Sequence, residues 1–122
     1  MKKVLFIALI LGMAFVSCKK DPETKLPTTY TITNSFSGGD FYEVIVFEYM
    51  GSDIIQQVEV GNLASGQTSA TFTANTNSDK IKVSMENYQG TRFYTSQKYL
   101  LTEGQNTAVV INDNTMISQN PN

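Results

Sequence analysis

Histidine is absent from this chain of 122 residues, which removes the commonest general base, the usual transition-metal ligand and the middle member of a hydrolase triad. Cysteine occurs once, at Cys18, so no intramolecular disulfide can form and stability has to come from packing. What remains for acid–base chemistry is a pair of carboxylates, with Asp40, Glu43, Glu48 and Glu59 as candidates. A glycosidase holds two carboxyls about 5 to 9.5 Å apart across a sugar-sized cleft. Outward positions of a small β domain rarely line such a cleft, so these four acids are expected as solvated surface groups and the chain as non-enzymatic. Asn75, Asn77 and Asp79 carry side-chain oxygens at alternate positions. Calcium takes about 6 to 8 oxygens, usually several of them carboxylates, around a sharp glycine turn. Here one carboxylate is available and Lys80 stands where glycine would help, so an ordinary turn is expected, as it is for Asn112-Asp113-Asn114. No metal and no cofactor are expected.

The aromatic residues offer a different chemistry. Six tyrosines and seven phenylalanines occur in all, and Phe36, Phe72 and Phe93 fall on apolar strand faces. Tyr88 and Tyr94 lie on either side of Gly90. With Tyr42 or Phe41 they could form an exposed platform, because tyrosine is rigid, partly apolar and able to hydrogen-bond. The competing expectation is that these tyrosines lie flat on a sheet with only the hydroxyl wet.

Cys18 is set in a context of its own. Lys2 and Lys3 precede the unbroken apolar run Val4 to Val16, and the small Ser17 comes just before the cysteine. A bilayer-spanning helix needs roughly 20 apolar residues, whereas a run of about 10 to 14 suits a signal-peptide core. The positive start and the small residue at the cut complete that pattern. Phe15-Val16-Ser17-Cys18 resembles the lipobox of bacterial lipoproteins, although Phe15 stands where leucine is the better match. Together with Lys19-Lys20-Asp21-Pro22-Glu23 the segment is similar to the start of small Bacteroidota outer-membrane lipoproteins. That resemblance implies removal of residues 1–17, a diacylglyceryl group on Cys18 and attachment to the outer membrane, on its periplasmic or its surface face. It covers about the first 23 residues and bears on processing, not on activity.

Residues 18–27 contain two prolines and no hydrophobic period, and are expected as a flexible tether. The net charge of −2 becomes more negative once Lys2 and Lys3 leave, and the remaining cations are scattered. Nucleic acid is therefore excluded as a partner, since phosphate neutralisation needs clustered Lys and Arg.

From Thr28 onward the pattern has a period of two. Tyr30, Ile32 and Phe36 alternate with threonine and serine, and Ser37-Gly38-Gly39-Asp40 turns the chain. Phe41 to Met50 is apolar on both faces at its centre, which places it as a central strand, covered on both sides or bent by a bulge. Ile54 to Val60 follows with Val58 and Val60 inward, and Leu63 plugs an end of the core. Ala70-Phe72-Ala74 forms a short strand. Next, Ile81, Val83 and Met85 face in while Lys80, Lys82, Ser84 and Glu86 face out. Arg92 to Leu101 and Thr107 to Asn112 complete the set, and Val110 is expected in the core with Phe72 and Val83. About seven strands with turns every 8 to 12 residues predict a single antiparallel β-sandwich over residues 28–112, immunoglobulin-like or transthyretin-like, with a small closed β-barrel as the alternative. Residues 113–122 extend a last strand pair or fray. The functional expectation is a lipid-anchored binding module for protein or glycan. The alternative is a structural component that contacts an envelope assembly by a sheet edge or the C-terminal tail.

Overall fold

The computed structural model describes residues 26–122. The expectations for the signal segment, Cys18 and most of the tether lie outside the described residues. Nine strands follow one another with no intervening helix among the described residues: β1 (Thr29–Ser35), β2 (Phe41–Met50), β3 (Asp53–Leu63), β4 (Phe72–Thr73), β5 (Lys80–Glu86), β6 (Arg92–Thr95), β7 (Tyr99–Leu100), β8 (Asn106–Asn112) and β9 (Ile117–Ser118). They form two sheets, β4-β1-β8 and β3-β2-β5-β6-β9, with β7 also paired to β5. The sheets pack face to face and do not close into a barrel.

One core lies between them. Tyr30 and Ile32 of β1 and Val109 and Ile111 of β8 meet Val44 and Val46 of β2 and Ile81, Val83 and Met85 of β5. The alternation of β1 and β5 thus buries what it was expected to bury. β8 runs one position out of step with expectation: Val109 and Ile111 are buried and Val110 is 45% exposed. A run of four apolar residues does not itself say which two face inward. Phe72 is only half-buried, because β4 is two residues long at a sheet edge, and its ring stacks on Tyr30 at 5.8 Å.

Two further differences have physical causes. β1 and β8 pair in parallel in an otherwise antiparallel fold, since side-chain alternation says nothing about the direction of the neighbouring strand. The stretch Arg92 to Leu101 is interrupted between Thr95 and Tyr99, so β6 and β7 pair with successive parts of β5. Residues 113–122 do not fray: β9 pairs with β6, and the Lys82 ammonium donates to the Pro121 carbonyl at 2.8 Å.

That last contact revises the outward side of β5. Lys82 and Ser84 do point away from the core, yet they are 3% and 0% exposed, because the end of the chain and the Arg92 guanidinium lie over them. Glu48, expected at the surface, is fully buried. Its place in β2 follows Val44 and Val46 inward, and donors converge on it there. The Tyr30 hydroxyl reaches Oε2 at 3.0 Å, while the Asn75 amide and the Ser78 hydroxyl reach Oε1 at 2.7 Å each. One carboxylate thereby ties β1, β2 and the Asn75–Asp79 turn together. Burial, then the adjacent Glu48 charge, raises the Tyr30 pKa, so this phenol stays protonated and donating.

Candidate functional site

The turn between β1 and β2 and the hairpin between β5 and β6 meet at one end of the sandwich. Asn34 shapes the first. Its amide nitrogen donates to the carbonyls of Gly39 and Leu63 at 3.0 Å each, and its side-chain oxygen accepts from the Phe36 amide. A Cβ at Gly38 would collide with the Phe36 ring, so glycine there lets Phe36 fold back and stack on Phe41 at 5.8 Å. Asn87 shapes the second, its side-chain oxygen accepting from the amides of Gln89 and Thr91 at 3.0 Å. Gly90 takes φ of 78°, a conformation that residues with a Cβ rarely adopt.

Between these turns lies a cavity of about 440 Å³, within the roughly 300 to 1,000 Å³ of small-ligand sites. Phe36 comes from the first turn and Phe41 from the start of β2, Met85 and Phe93 from the hairpin strands, Tyr88 from the hairpin turn, and Ile117 from β9, with Asp40 and Asn87 as polar groups. Tyr42 sits opposite Glu86 in the β2–β5 register and joins the wall. Arg92 braces the outside of this end. Its guanidinium pairs with Glu86 at 2.8 Å, binds the Ser84 hydroxyl, and donates twice to the Glu43 carbonyl. Glu43 has φ of 47° at a β-bulge, which turns that carbonyl toward the guanidinium.

The structure brings two of the three candidate tyrosines together and separates the third. Tyr42 and Tyr88 line the cavity and are 36% and 79% exposed. Tyr94 lies on the outer face of the larger sheet, half-buried, with its ring 6.3 Å from that of Phe47. The alternation of β6 explains the division: Phe93 enters the cavity, so its neighbour Tyr94 faces away. Met85 and Ile117 were not anticipated as cavity residues. Met85 looked like plain core, and Ile117 lies in a tail without period.

The carboxylates are distributed over the fold. Asp40 accepts from the Ser65 amide at 2.9 Å, and Glu48 is enclosed in the core. Glu43 and Glu59 line one open depression beside Asn62. No three of His, Cys, Asp and Glu among the described residues are grouped to hold a metal ion. The oxygens of the Asn75–Asp79 segment are engaged in the turn: Asn75 Oδ1 accepts from the Asn77 amide, and Asp79 from the Gly51 amide. In the other asparagine-rich segment, hydrogen bonding from Ser37 lowers the Asp113 pKa. No protein-family model matches this chain, and neither the curated proteins nor the solved structures give a match.

Proposed function

We propose that this protein is a lipid-anchored, non-enzymatic recognition module of the outer membrane, which takes a group of a protein or glycan into the aromatic cavity between Tyr42 and Tyr88. The observation that carries this reading is the cavity itself: rigid rings line it, and the most exposed of the aromatic walls is Tyr88. Its location agrees with a tethered module. β1 leaves the tether at Thr29 and ends at Ser35, one strand length of about 20 Å from the tether. The Ser37–Asp40 turn that follows therefore stands at the opposite end of the sandwich from Thr29.

Crosslinking the lipidated protein to its neighbours, then measuring affinity for the captured partner, tests the reading. Tyr88→Ala is expected to weaken binding about tenfold, on the order of 1.4 kcal/mol, with little change in melting temperature. Tyr94→Ala, which removes the ring packed near Phe47, is expected to lower melting temperature and leave affinity unchanged. Unaltered binding by Tyr88→Ala would end the proposal.

A second reading rests on a separate observation. β3 is an outer strand of its sheet, 11 residues long without lysine or proline, so its free edge can accept another strand. Contact of that kind would make the chain a structural component of an envelope assembly. Crosslinks concentrated at Gln57 and Glu59 rather than at Tyr42 and Tyr88 would favour it. The C-terminal tail suits that role less, since β9 and Pro121 are already engaged with β6 and Lys82.

A further inference from the structure

The outer face of the larger sheet carries two ammonium groups without a carboxylate partner. Lys82 is 3% exposed, and of its three donors one is used, on the Pro121 carbonyl at 2.8 Å. Lys98 is exposed and lies over the Tyr49 ring, 4.3 Å from its centroid. Among the described residues the cations in ion pairs are Lys80, with Asp79, and Arg92, with Glu86; neither Lys82 nor Lys98 is one of them. Burial, then the Lys98 charge, lowers the Lys82 pKa, and the two side chains share a neighbour in Tyr49, which carries Lys98 on its ring and lines the same cavity as Lys82. Beside them is a second cavity, of about 180 Å³, with walls formed by Phe47, Tyr49, Ile54, Lys82, Tyr94 and Pro121. It is smaller than the roughly 300 Å³ of a drug-sized site, so it admits a single ring and not a chain. The tilted Phe47 and Tyr94 rings, at 32° to each other, offer apolar surface next to the charge.

From this juxtaposition we propose a second binding site, for an acidic sugar ring whose carboxylate sits between Lys82 and Lys98 while its apolar face lies on Phe47 and Tyr94. Charge complementarity selects the anion, because a carboxylate supplies the acceptors these ammonium groups lack. The aromatic walls select the ring, since an aspartate or glutamate side chain would satisfy the charge and leave the rings uncovered. This site lies on the sheet face, apart from the cavity at the end of the sandwich, and does not depend on what that cavity takes.

The test is isothermal titration of the full chain in detergent micelles with three probes: a galacturonic acid oligomer, the neutral maltohexaose and a hexaglutamate peptide. Expected is binding of the uronate, weakening as salt is added, with no binding of maltohexaose and at least tenfold weaker binding of hexaglutamate. Lys98→Met should lower uronate affinity about tenfold and Lys98→Arg should retain it; an unchanged melting temperature in both separates the effect from folding. Tyr88→Ala should leave uronate affinity intact. No uronate binding, equal affinity for the neutral or the peptide probe, or indifference to Lys98→Met would each overturn the proposal. Loss of uronate binding in Tyr88→Ala alone would overturn it too, by placing the sugar in the end cavity.

Discussion

Glu48 shows how much a single residue can decide in this fold. A buried carboxylate is costly unless its lone pairs are taken up, and here Tyr30 takes them up from the opposite sheet and Asn75 and Ser78 from a turn. Glu48→Ala leaves the buried Tyr30 hydroxyl and the half-buried Asn75 and Ser78 donors without this acceptor and is expected to cost about 3 to 5 kcal/mol, while the isosteric Glu48→Gln costs less. Urea denaturation of the two variants measures the difference, and equal midpoints would contradict it. Lys82 acts in the opposite sense. Its pKa is lowered below the ordinary 10.5, so between the lowered value and 10.5 the unfolded chain binds more protons than the folded one. Stability therefore rises with pH across that window, and below it the desolvated charge is a fixed cost. Tyr30, Tyr49 and Tyr99 have raised pKa values, and above about pH 10 they reduce stability because only the unfolded chain then loses those protons. Lys82→Met separates the two trends. The variant should be at least as stable as the parent at pH 7, with the gap narrowing as pH approaches 10.5. A gap that widens with pH would refute the assignment. Lys82→Ala, which by alternation alone should be nearly silent, is expected to cost about 1 to 2 kcal/mol because the side chain is buried and its ammonium holds the Pro121 carbonyl.

At the level of elements, β8 gives the sharpest contrast. Val109 is 1% and Val110 45% exposed, so Val109→Ala opens space between the sheets and is expected to lower stability by about 1 to 3 kcal/mol, whereas Val110→Ala stays within about 0.5. Thermal unfolding of both variants checks the register, and a reversed order would show β8 turned by one residue. Much of the architecture was legible in the sequence, since Tyr30 with Ile32 and Ile81 with Val83 and Met85 alternate cleanly enough to fix strands and faces. The continuous run Ala108 to Ile111 was not legible, because without polar residues between them both faces read alike. Nor was the cover on Lys82 and Ser84, which comes from residues distant in sequence. The candidate site was half legible. Tyr88 and Tyr42 carry the signal of a turn and a strand start, but that Phe93 and not Tyr94 joins them depends on how the hairpin folds around Asn87 and Gly90.

At the scale of the whole molecule, the first strand and the eighth, far apart in sequence, close the smaller sheet on one another. β1 pairs with β8 along its full length, Thr29 opposite Asn106 to Ser35 opposite Asn112, and the Thr28 carbonyl and hydroxyl bind the amides of Ala74 and Gly104. Among the described residues the hydrogen bonding of the sandwich thus begins at Thr28, ten positions after the proposed lipidation site Cys18 in the sequence. From this follows a prediction that separates membrane attachment from folding. Cys18→Ala removes the only sulfur that can accept a diacylglyceryl group, so the protein should shift from the detergent phase to the aqueous phase on phase separation, or accumulate as uncleaved precursor. Either form should melt within a degree or two of the parent, because no residue of the packed sheets is altered. Intact mass of the membrane-bound parent supplies the other half: it should lack residues 1–17 and exceed the remaining polypeptide by the mass of its acyl groups. A membrane-bound chain whose Cys18 is unmodified would sink the anchoring proposal. A melting temperature that falls sharply in Cys18→Ala would instead show that the segment around Cys18 contributes to the stability of the sandwich, and attachment and folding would not be separable in this way.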